Sequence, residues 1–290
     1  MNIRLPVRAG SFYESSPSTC RHHAGKLLEA ALVTDPLPRK VYGGLVPHAG
    51  WVYSGRLAAM TFKALRSAGE LKTVVLFGAD HTGMVRRGEV YDSGVWRTPL
   101  GEVQIDDELA SALLAEADCL RANPQAHAYE HSLEVQVPLL QMVAESAKIV
   151  PIAVPPTDLA VLIGQVVGKV LAKRSPGVSV VGSTDLTHHG GHFPAPGGHG
   201  RSGAEWARKN DRRMIDLIEA MAAEKIVPEA DDRQNACGAG AIAATVAACR
   251  EMGATRGICL AYTNSYEVVR EMYPDETDDT SVGYASVVFA

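Results

Sequence analysis

The chain alternates short apolar runs with longer amphipathic stretches. The apolar runs have the length and β-branched content of buried strands, and they fall at 41–47, 73–78, 148–154, 178–182, 257–263 and 281–289. Helical spacing of apolar residues predicts helices at 18–33, 55–67, 107–117, 157–173, 203–223 and 236–252, with Ser18 and Asp106 as caps of the first and third. The stretch 89–105 predicts a hairpin, while Pro138 leaves 130–145 ambiguous. We therefore expect one α/β domain over residues 1–290, with helices on both faces of a largely parallel sheet.

The end of the chain changes this picture in one respect. No helix is predicted between the strands at 257–263 and 281–289, which indicates a mixed sheet. The Gly-rich stretch 188–200 is predicted to be a loop.

Three of the predicted strands end in polar residues that include histidine. His48 follows the first strand, His81 follows the second, and Asp185, His188 and His189 follow the strand at 178–182. The carboxyl ends of parallel strands meet at one edge of a sheet, where ligands collect. The pattern therefore predicts a single polar site at that edge.

Residues next to these histidines have two interpretations each. Trp51 and Tyr53 either line a pocket for a ring-shaped ligand or pack in the core. Asp80 either orients a neighbouring imidazole or caps a helix. Asp185 lies three residues before His188, a spacing suited to a carboxylate that holds an acid–base imidazole, although a polar turn also fits.

Cys237 precedes an Ala-rich helix, with Asn235 as a candidate cap. A helix N-terminus lowers the pKa of a thiol, which favours a nucleophile or a metal ligand. The adjacent Gly and Ala equally fit a small residue in a tight helix–sheet contact. Glu130 and His131 could also reach the site, although Glu130 fits an exposed helix N-terminus as well.

Composition narrows the class of protein. The net charge is −5 and no large basic cluster is present, so neither nucleic acid nor an anionic membrane surface is an expected partner. The five cysteines form no CxxC pair and no apolar run is long enough to span a bilayer, so we expect a cytoplasmic protein with free thiols.

Several ordered motifs resemble the Memo family, in its branch called AmmeMemoRadiSam system protein B. They are RAGSFY (8–13), PHAGWVYSG (47–55), GxxHTG (78–83), WRTPLGEVQID (96–106), EHSLEVQVPLL (130–140), STDLTHHG (183–190), ACGAGAI (236–242) and DTSVGYASV (279–287). The chain departs from the family at Ala79, where proline is usual, and in a Gly/His insertion after His189.

The resemblance implies a three-layer α/β/α fold with a mixed, mostly parallel sheet, like that of class III extradiol dioxygenases. It implies His48, His81 and Cys237 as metal ligands, and Asp185 and His188 as the remaining pocket pair, with His188 as acid–base. Fe(II) is the expected metal, with copper or zinc as alternatives. AMMECR-type and radical-SAM proteins are implied partners.

Three functions follow from these residues. The first is a non-haem iron or copper dioxygenase or oxidase acting on a small aromatic or peptide-borne substrate, which Trp51, Tyr53 and His131 would contact. The second is a metal- or peptide-binding module without turnover. The third is a hydrolase with Cys237 as nucleophile and His188 as base. Oxygen consumption separates the first from the second, and chelator-insensitive labelling of Cys237 would favour the third.

Overall fold

The computed structural model describes residues 2–33, 36–174 and 176–290, and a mixed sheet forms its centre. Hydrogen-bonded neighbours run in the order β10-β12-β2-β9-β3-β8-β4-β7, and β11 pairs with β12. The inner strands β2, β9, β3 and β8 are parallel, whereas β12 runs antiparallel to β2 and β4 antiparallel to β8. A separate sheet consists of β1, β5 and β6. The strands are β1 Ile3–Arg4, β2 Gly43–Val46, β3 Thr73–Gly78, β4 Gly88–Val90, β5 Val95–Thr98, β6 Gly101–Gln104, β7 Leu120–Ala122, β8 Lys148–Ala153, β9 Val178–Ser183, β10 His188–His189, β11 Gly257–Asn264 and β12 Ser281–Phe289.

Helices cover both faces of the central sheet. They are α1 Pro17–Ala30, α2 Trp51–Ala68, α3 Asp107–Glu116, α4 Val137–Val143, α5 Leu159–Ala172, α6 Gly200–Glu219, α7 Ala223–Arg233, α8 Ala239–Met252 and α9 Ser265–Met272. Successive strand residues point to opposite faces, so Val75 packs with α5 and α8 while Val74 packs with α1 and α2. The predicted three-layer α/β/α architecture is confirmed. The assignment of residues 1–290 to one domain stays a prediction.

Most predicted strands and helices are present within a few residues of their expected bounds. The expected hairpin is formed by β5 and β6, whereas β4 joins the central sheet. The ambiguous stretch 130–145 forms the 3₁₀ turn Glu134–Gln136 followed by α4, and Pro138 lies in the first turn of α4, where its missing N–H costs nothing. Asp106 caps α3 as predicted, because its Oδ1 accepts from Leu109 N.

Four local expectations are wrong. α7 and α9 were not expected, and α9 lies between the last two long strands, although the sheet is mixed as predicted. Ser18 lies inside α1, whose cap position is Ser16. Asn235 does not cap α8; its Nδ2 donates to the Asn210 carbonyl and to Glu229.

Helices α5 and α8 pack almost backbone to backbone. A Cβ on Gly164 would lie 2.2 Å from the Ala244 carbonyl oxygen, and one on Gly168 would lie 2.5 Å from the Ala248 carbonyl oxygen. The start of α8 is equally close to the loop that follows β8, because a Cβ on Gly240 would lie 2.5 Å from the Pro155 carbonyl oxygen. Gly164, Gly168 and Gly240 therefore allow α8 to pack closely against its neighbours.

The amino-terminal segment is fixed to the body of the protein by Glu134. This buried carboxylate pairs with Arg4 at 2.8 Å and accepts hydrogen bonds from Val7 N, Arg8 N and Tyr13 Oη. The Arg4 guanidinium also lies over the Trp96 ring, 4.4 Å from its centroid. These contacts hold residues 7–13 beside the carboxyl edge of the sheet. Across the described part of the chain, no helix combines the length and apolarity needed to cross a membrane.

Candidate metal centre

Three side chains from distant segments meet at the carboxyl edge of the central sheet. His48 follows β2, His81 follows β3, and Cys237 directly precedes the start of α8. One ligand atom of each lies within 4.8 Å of the others. Metal–ligand bonds are ~2.0–2.3 Å long, so small side-chain rotations would bring all three onto one ion. The convergence predicted from the sequence is present.

The hydrogen bonds around His48 direct its Nε2 into the centre. The Ser183 hydroxyl donates to the Ser132 carbonyl at 2.7 Å, so it accepts the Nδ1 proton of His48 at 3.1 Å. The unprotonated Nε2 then faces Cys237 Sγ at 3.2 Å. Burial, reinforced by His81 and His131, holds the pKa of His48 well below its usual value. His48 is therefore a neutral imidazole with a free lone pair, the form that binds metals.

His81 is oriented in the same way by Glu130. This carboxylate accepts from His81 N at 2.8 Å and from His81 Nδ1 at 2.9 Å, and Ser132 N donates to it at 2.8 Å. Burial opposes protonation of His81, but hydrogen bonds to Cys237 and Glu130 raise the pKa of this imidazole above its usual range. The hydrogen bond from His81 likewise keeps the pKa of the buried Glu130 well below its usual value, although burial acts in the opposite direction. The expectation that Glu130 is exposed at a helix N-terminus is wrong.

A second group of possible ligands consists of His81, Glu130 and His131. Both Glu130 oxygens already accept hydrogen bonds from His81 and Ser132. A carboxylate that accepts these hydrogen bonds orients the imidazole of His81, an arrangement common around metal-binding histidines. The group containing Cys237 therefore fits a metal better.

The environment of Cys237 differs from the expected one. Burial raises the pKa of its thiol, although a helix N-terminus was expected to lower it. Cys237 lies before Gly238, the cap residue of α8, so burial outweighs the hydrogen bond that its sulfur accepts from Asp185 N at 3.3 Å, which acts in the opposite direction. Its sulfur lies 3.2 Å from His48 Nε2, and no hydrogen bond joins it to His188 among the described residues, so the pair expected of a hydrolase is not observed there. A bound cation would displace the thiol proton.

Asp185 and His188 do not form the predicted pair. Asp185 Oδ1 accepts from His48 N at 2.7 Å, and its other oxygen lies 4.0 Å from His48 Nε2. The chain beyond Asp185 is held to β12, because Leu186 N donates to the Gly283 carbonyl and Gly283 N donates to the Thr187 carbonyl. No hydrogen bond joins Asp185 to His188 among the described residues, although both line one cavity. Burial raises the pKa of Asp185 to about 7.

His188 nevertheless reaches the centre. Its Nε2 is buried and makes no hydrogen bond with any described residue. Burial, and secondarily His81, lowers the pKa of His188 to about 4, so its imidazole is neutral near pH 7. An unpartnered buried ring nitrogen is costly unless something binds it. His188 therefore offers a free proton acceptor beside the three candidate ligands.

A cavity of about 450 Å³, here called the histidine cavity, opens onto these residues. His48, His81, His131, Asp185 and His188 lie on its walls, together with Ser11, Phe12, Tyr53, Asp278 and Tyr284. The His131 ring stacks on His81 with centroids 4.7 Å apart and meets the Phe12 ring edge-on. Flat rings thus form much of the wall.

The two aromatic residues expected to contact substrate have different environments in the structure. Tyr53 is 39% exposed and lines the histidine cavity. Trp51 is only 2% exposed, packs on Tyr13 and donates its Nε1 proton to the Val135 carbonyl. Its assignment to substrate is therefore wrong. Helix α2 begins at Trp51, four residues earlier than predicted, and this turns the indole into the core.

Sequence reasoning left other positions unresolved or unnoticed. Asp80 neither orients an imidazole nor caps a helix, because it accepts hydrogen bonds from Met84 N and Val85 N in a turn. Phe12 and Ser183 were not singled out, although Phe12 lies in the RAGSFY motif. Ser183 acts through its hydrogen bond to His48, a contact between distant segments that leaves no local pattern in the sequence.

Comparison with known proteins places these residues in a family. The family model described as Memo-like protein matches residues 4–288. The chain belongs to the Memo family. MEMO1 family proteins of Methanopyrus kandleri and Pyrococcus abyssi are each 35% identical to it, over 99% of this chain and 98% and 99% of their own lengths. A MEMO1 family protein of Methanothermobacter thermautotrophicus is also 35% identical, over 98% of this chain and 99% of its own. The matched Memo region contains every residue of the candidate metal centre.

Proposed function

We propose that this Memo-family protein binds one Fe(II) through His48, His81 and Cys237, and that it is a non-haem redox enzyme of dioxygenase or oxidase type. The observation that carries the proposal is the convergence of the three ligand atoms within 4.8 Å. The proposed substrate is a small molecule, or a peptide side chain, that presents a flat ring to the histidine cavity.

The donor set supports a transition metal over Mg²⁺ or Ca²⁺. Two imidazoles and a thiolate are soft or intermediate ligands, which suit Fe(II), Cu(I) and Zn(II). Both histidines also have the outer hydrogen-bond partners that metal-binding imidazoles have, namely Ser183 and Glu130. Three protein ligands leave coordination positions open. When bound, the metal would supply redox chemistry and a place for a small co-substrate.

The chain's own residues would bind and orient the substrate and move its proton. The rings of His131 and Phe12 and the side chain of Tyr53 offer a flat apolar surface to a ring. His188 Nε2, neutral and unpartnered, would accept a proton from a hydroxyl placed in the cavity. Asp185 would hold the backbone of His48 in place through its hydrogen bond to His48 N.

Anaerobic reconstitution tests the proposal. Purified protein is loaded with Fe(II) under reducing conditions, metal content is measured, and oxygen uptake is followed with a panel of catechols. We expect one iron per chain and substrate-dependent oxygen consumption. The His48→Ala and Cys237→Ala variants should lose the metal, whereas Cys259→Ala, a free cysteine outside the centre, should keep it.

A His188→Gln variant separates binding from turnover. It should retain iron and lose most oxygen consumption, because His188 is not one of the three ligands. Stoichiometric metal without oxygen consumption would instead support a metal-holding module. Absence of metal in the wild-type protein would refute the proposal. If the protein retained copper or zinc in preference to iron, the identity of the metal in the proposal would change, but the proposed ligands would not.

A further inference from the structure

A second, larger cavity lies on the other side of the candidate metal centre. Its volume is about 660 Å³, within the range of small-molecule sites. We call it the tryptophan cavity. It lies between the loop 190–199, helix α6 and the segment 232–237. Cys237 and His188 border it, and His188 borders the histidine cavity too.

One face of α6 forms the floor of the tryptophan cavity. Trp206, Lys209, Asn210 and Arg213 all line it. Their spacing of three, four and seven residues places them on one side of a helix. Trp206 is half-buried and Lys209 is exposed, so this face of α6 remains partly open.

The walls of the tryptophan cavity are flat and mostly apolar. Phe193, Pro194 and Pro196 from the loop line it together with Trp206. The indole is held in place from two sides. The buried His189 ring lies against it with centroids 5.4 Å apart, and a Cβ on Gly197 would lie 2.2 Å from Trp206 Cβ. A rigid aromatic surface of this kind suits a planar ring.

The charge of the cavity is positive, and one cation is free. Arg213 is bound by Glu229 through two hydrogen bonds of 2.7 and 3.0 Å, and Arg233 pairs with Asp232 at 2.8 Å. Lys209 makes no hydrogen bond or ion pair with any residue in the described ranges. The carboxylate of Asp232, which also lines the tryptophan cavity, is paired with Arg233, whereas the histidine cavity contains the carboxylates of Asp185 and Asp278. An organic anion therefore fits the tryptophan cavity better than its neighbour.

We propose that the tryptophan cavity is a binding site for a small aromatic carboxylate, whose ring packs on Trp206 and whose carboxylate pairs with Lys209. This site is distinct from the proposed metal centre and goes beyond the proposed function. It requires no bound metal, so its failure and that of the metal proposal are distinguishable.

Binding of 3-phenylpropionate tests the proposal, with 3-phenylpropan-1-ol as a neutral analogue of the same shape. The chain has three tryptophans, and Trp51 and Trp96 are only 2% and 1% exposed, so a change in fluorescence on binding would report Trp206. Calorimetry supplies an independent affinity. Both are measured with the full chain, once with a chelator and once after metal loading.

The expected results follow from the free lysine. The acid should bind up to about fivefold more tightly than the alcohol, since an ion pair with an exposed lysine is partly screened by water. Lys209→Gln should abolish this preference. Lys225→Gln, an exposed lysine on α7 outside the cavity, should leave it unchanged. Trp206→Phe should keep the calorimetric binding and lose the fluorescence change.

Several results would overturn the proposal. They are absence of saturable binding of the acid to the wild-type protein, equal affinity for acid and alcohol, and wild-type binding by Lys209→Gln. Loss of acid binding in Tyr53→Leu but not in Lys209→Gln would also overturn it, because that result would place the acid in the histidine cavity. Lys209 is exposed, so its replacement does not disturb folding.

Discussion

Replacing Gly164 by alanine tests whether the contact between α5 and α8 supports the fold. The new methyl carbon would lie 2.2 Å from the Ala244 carbonyl oxygen, where side-chain carbons essentially never come closer than 3.0 Å. The helices must therefore move apart by most of an ångström. A gap of that size forfeits about a quarter to a half of the dispersion energy of each contact that it opens. Overpacking of this kind costs about 1–3 kcal/mol.

Gly25→Ala is a matched control. Gly25 lies inside α1, and nothing lies within 4 Å of a Cβ built there. Both substitutions gain the helix propensity of alanine over glycine, about 1 kcal/mol. The difference in unfolding free energy between the two variants therefore isolates the overpacking cost. Gly164→Ala should be less stable than Gly25→Ala by about 1–3 kcal/mol.

Urea unfolding followed by circular dichroism measures this difference, with a chelator present so that metal binding does not add stability. Thermal unfolding should show the same order, at about 2 °C for each kcal/mol in a chain of 290 residues. Equal midpoints for Gly164→Ala and Gly25→Ala would show that the helices separate without cost. Close packing of α5 and α8 would then not depend on a glycine at position 164.

Three further predictions concern buried charges. Glu130→Gln should weaken metal binding by about 10–100-fold in a chelator competition, because the carboxylate orients His81. Burial raises the pKa of Asp211 to about 6 from 3.8, so the folded state holds this proton more tightly than the unfolded state. Stability should therefore fall by about 3 kcal/mol between about pH 4 and pH 6, and Asp211→Asn should remove that loss in urea titrations. Arg4→Met should destabilise the protein to urea by about 3–5 kcal/mol, because Glu134 is left buried without its partner.

Exposed residues of the same types are the controls for these variants. Glu102→Gln should leave metal affinity unchanged, Asp216→Asn should leave the pH dependence unchanged, and Arg97→Met should have little effect on stability. Unchanged metal affinity in Glu130→Gln would show that Glu130 is not needed to orient His81. If Asp211→Asn leaves the pH dependence of stability unchanged, the Asp211 carboxyl group is not its source. If Arg4→Met is as stable as the wild type, the buried Glu134 carboxylate does not need Arg4.

The sequence predicted the layers of the fold and the edge that carries the site. His48, His81 and Asp185 could be assigned there because each directly follows an apolar run, and strand order is not needed to know which edge they share. Helix α7 was missed in part because Pro228, inside it, normally interrupts a helix. Helix α9 has only eight residues, which gives little periodicity to read.

The errors within the site arise from tertiary contacts. The side chain of Trp51 points inward only because α2 begins at that residue. Asp185 was paired with His188 on sequence spacing, but its Oδ1 accepts a hydrogen bond from the distant His48 N instead. The thiol of Cys237 is governed by burial, which depends on the packing of α8. The roles of these residues, the Fe(II) cofactor and the AMMECR-type and radical-SAM partners stay predictions.

The position of Cys237 and His188 on the boundary of the tryptophan cavity has a thermodynamic consequence. A ligand in that cavity would contact the same two side chains that border the candidate metal centre, so binding of the ligand and binding of an ion would be coupled. Linkage then requires reciprocity: whatever factor the ligand applies to the affinity for the ion, the ion applies to the affinity for the ligand. Measuring one titration at two concentrations of the other species gives the coupling in both directions.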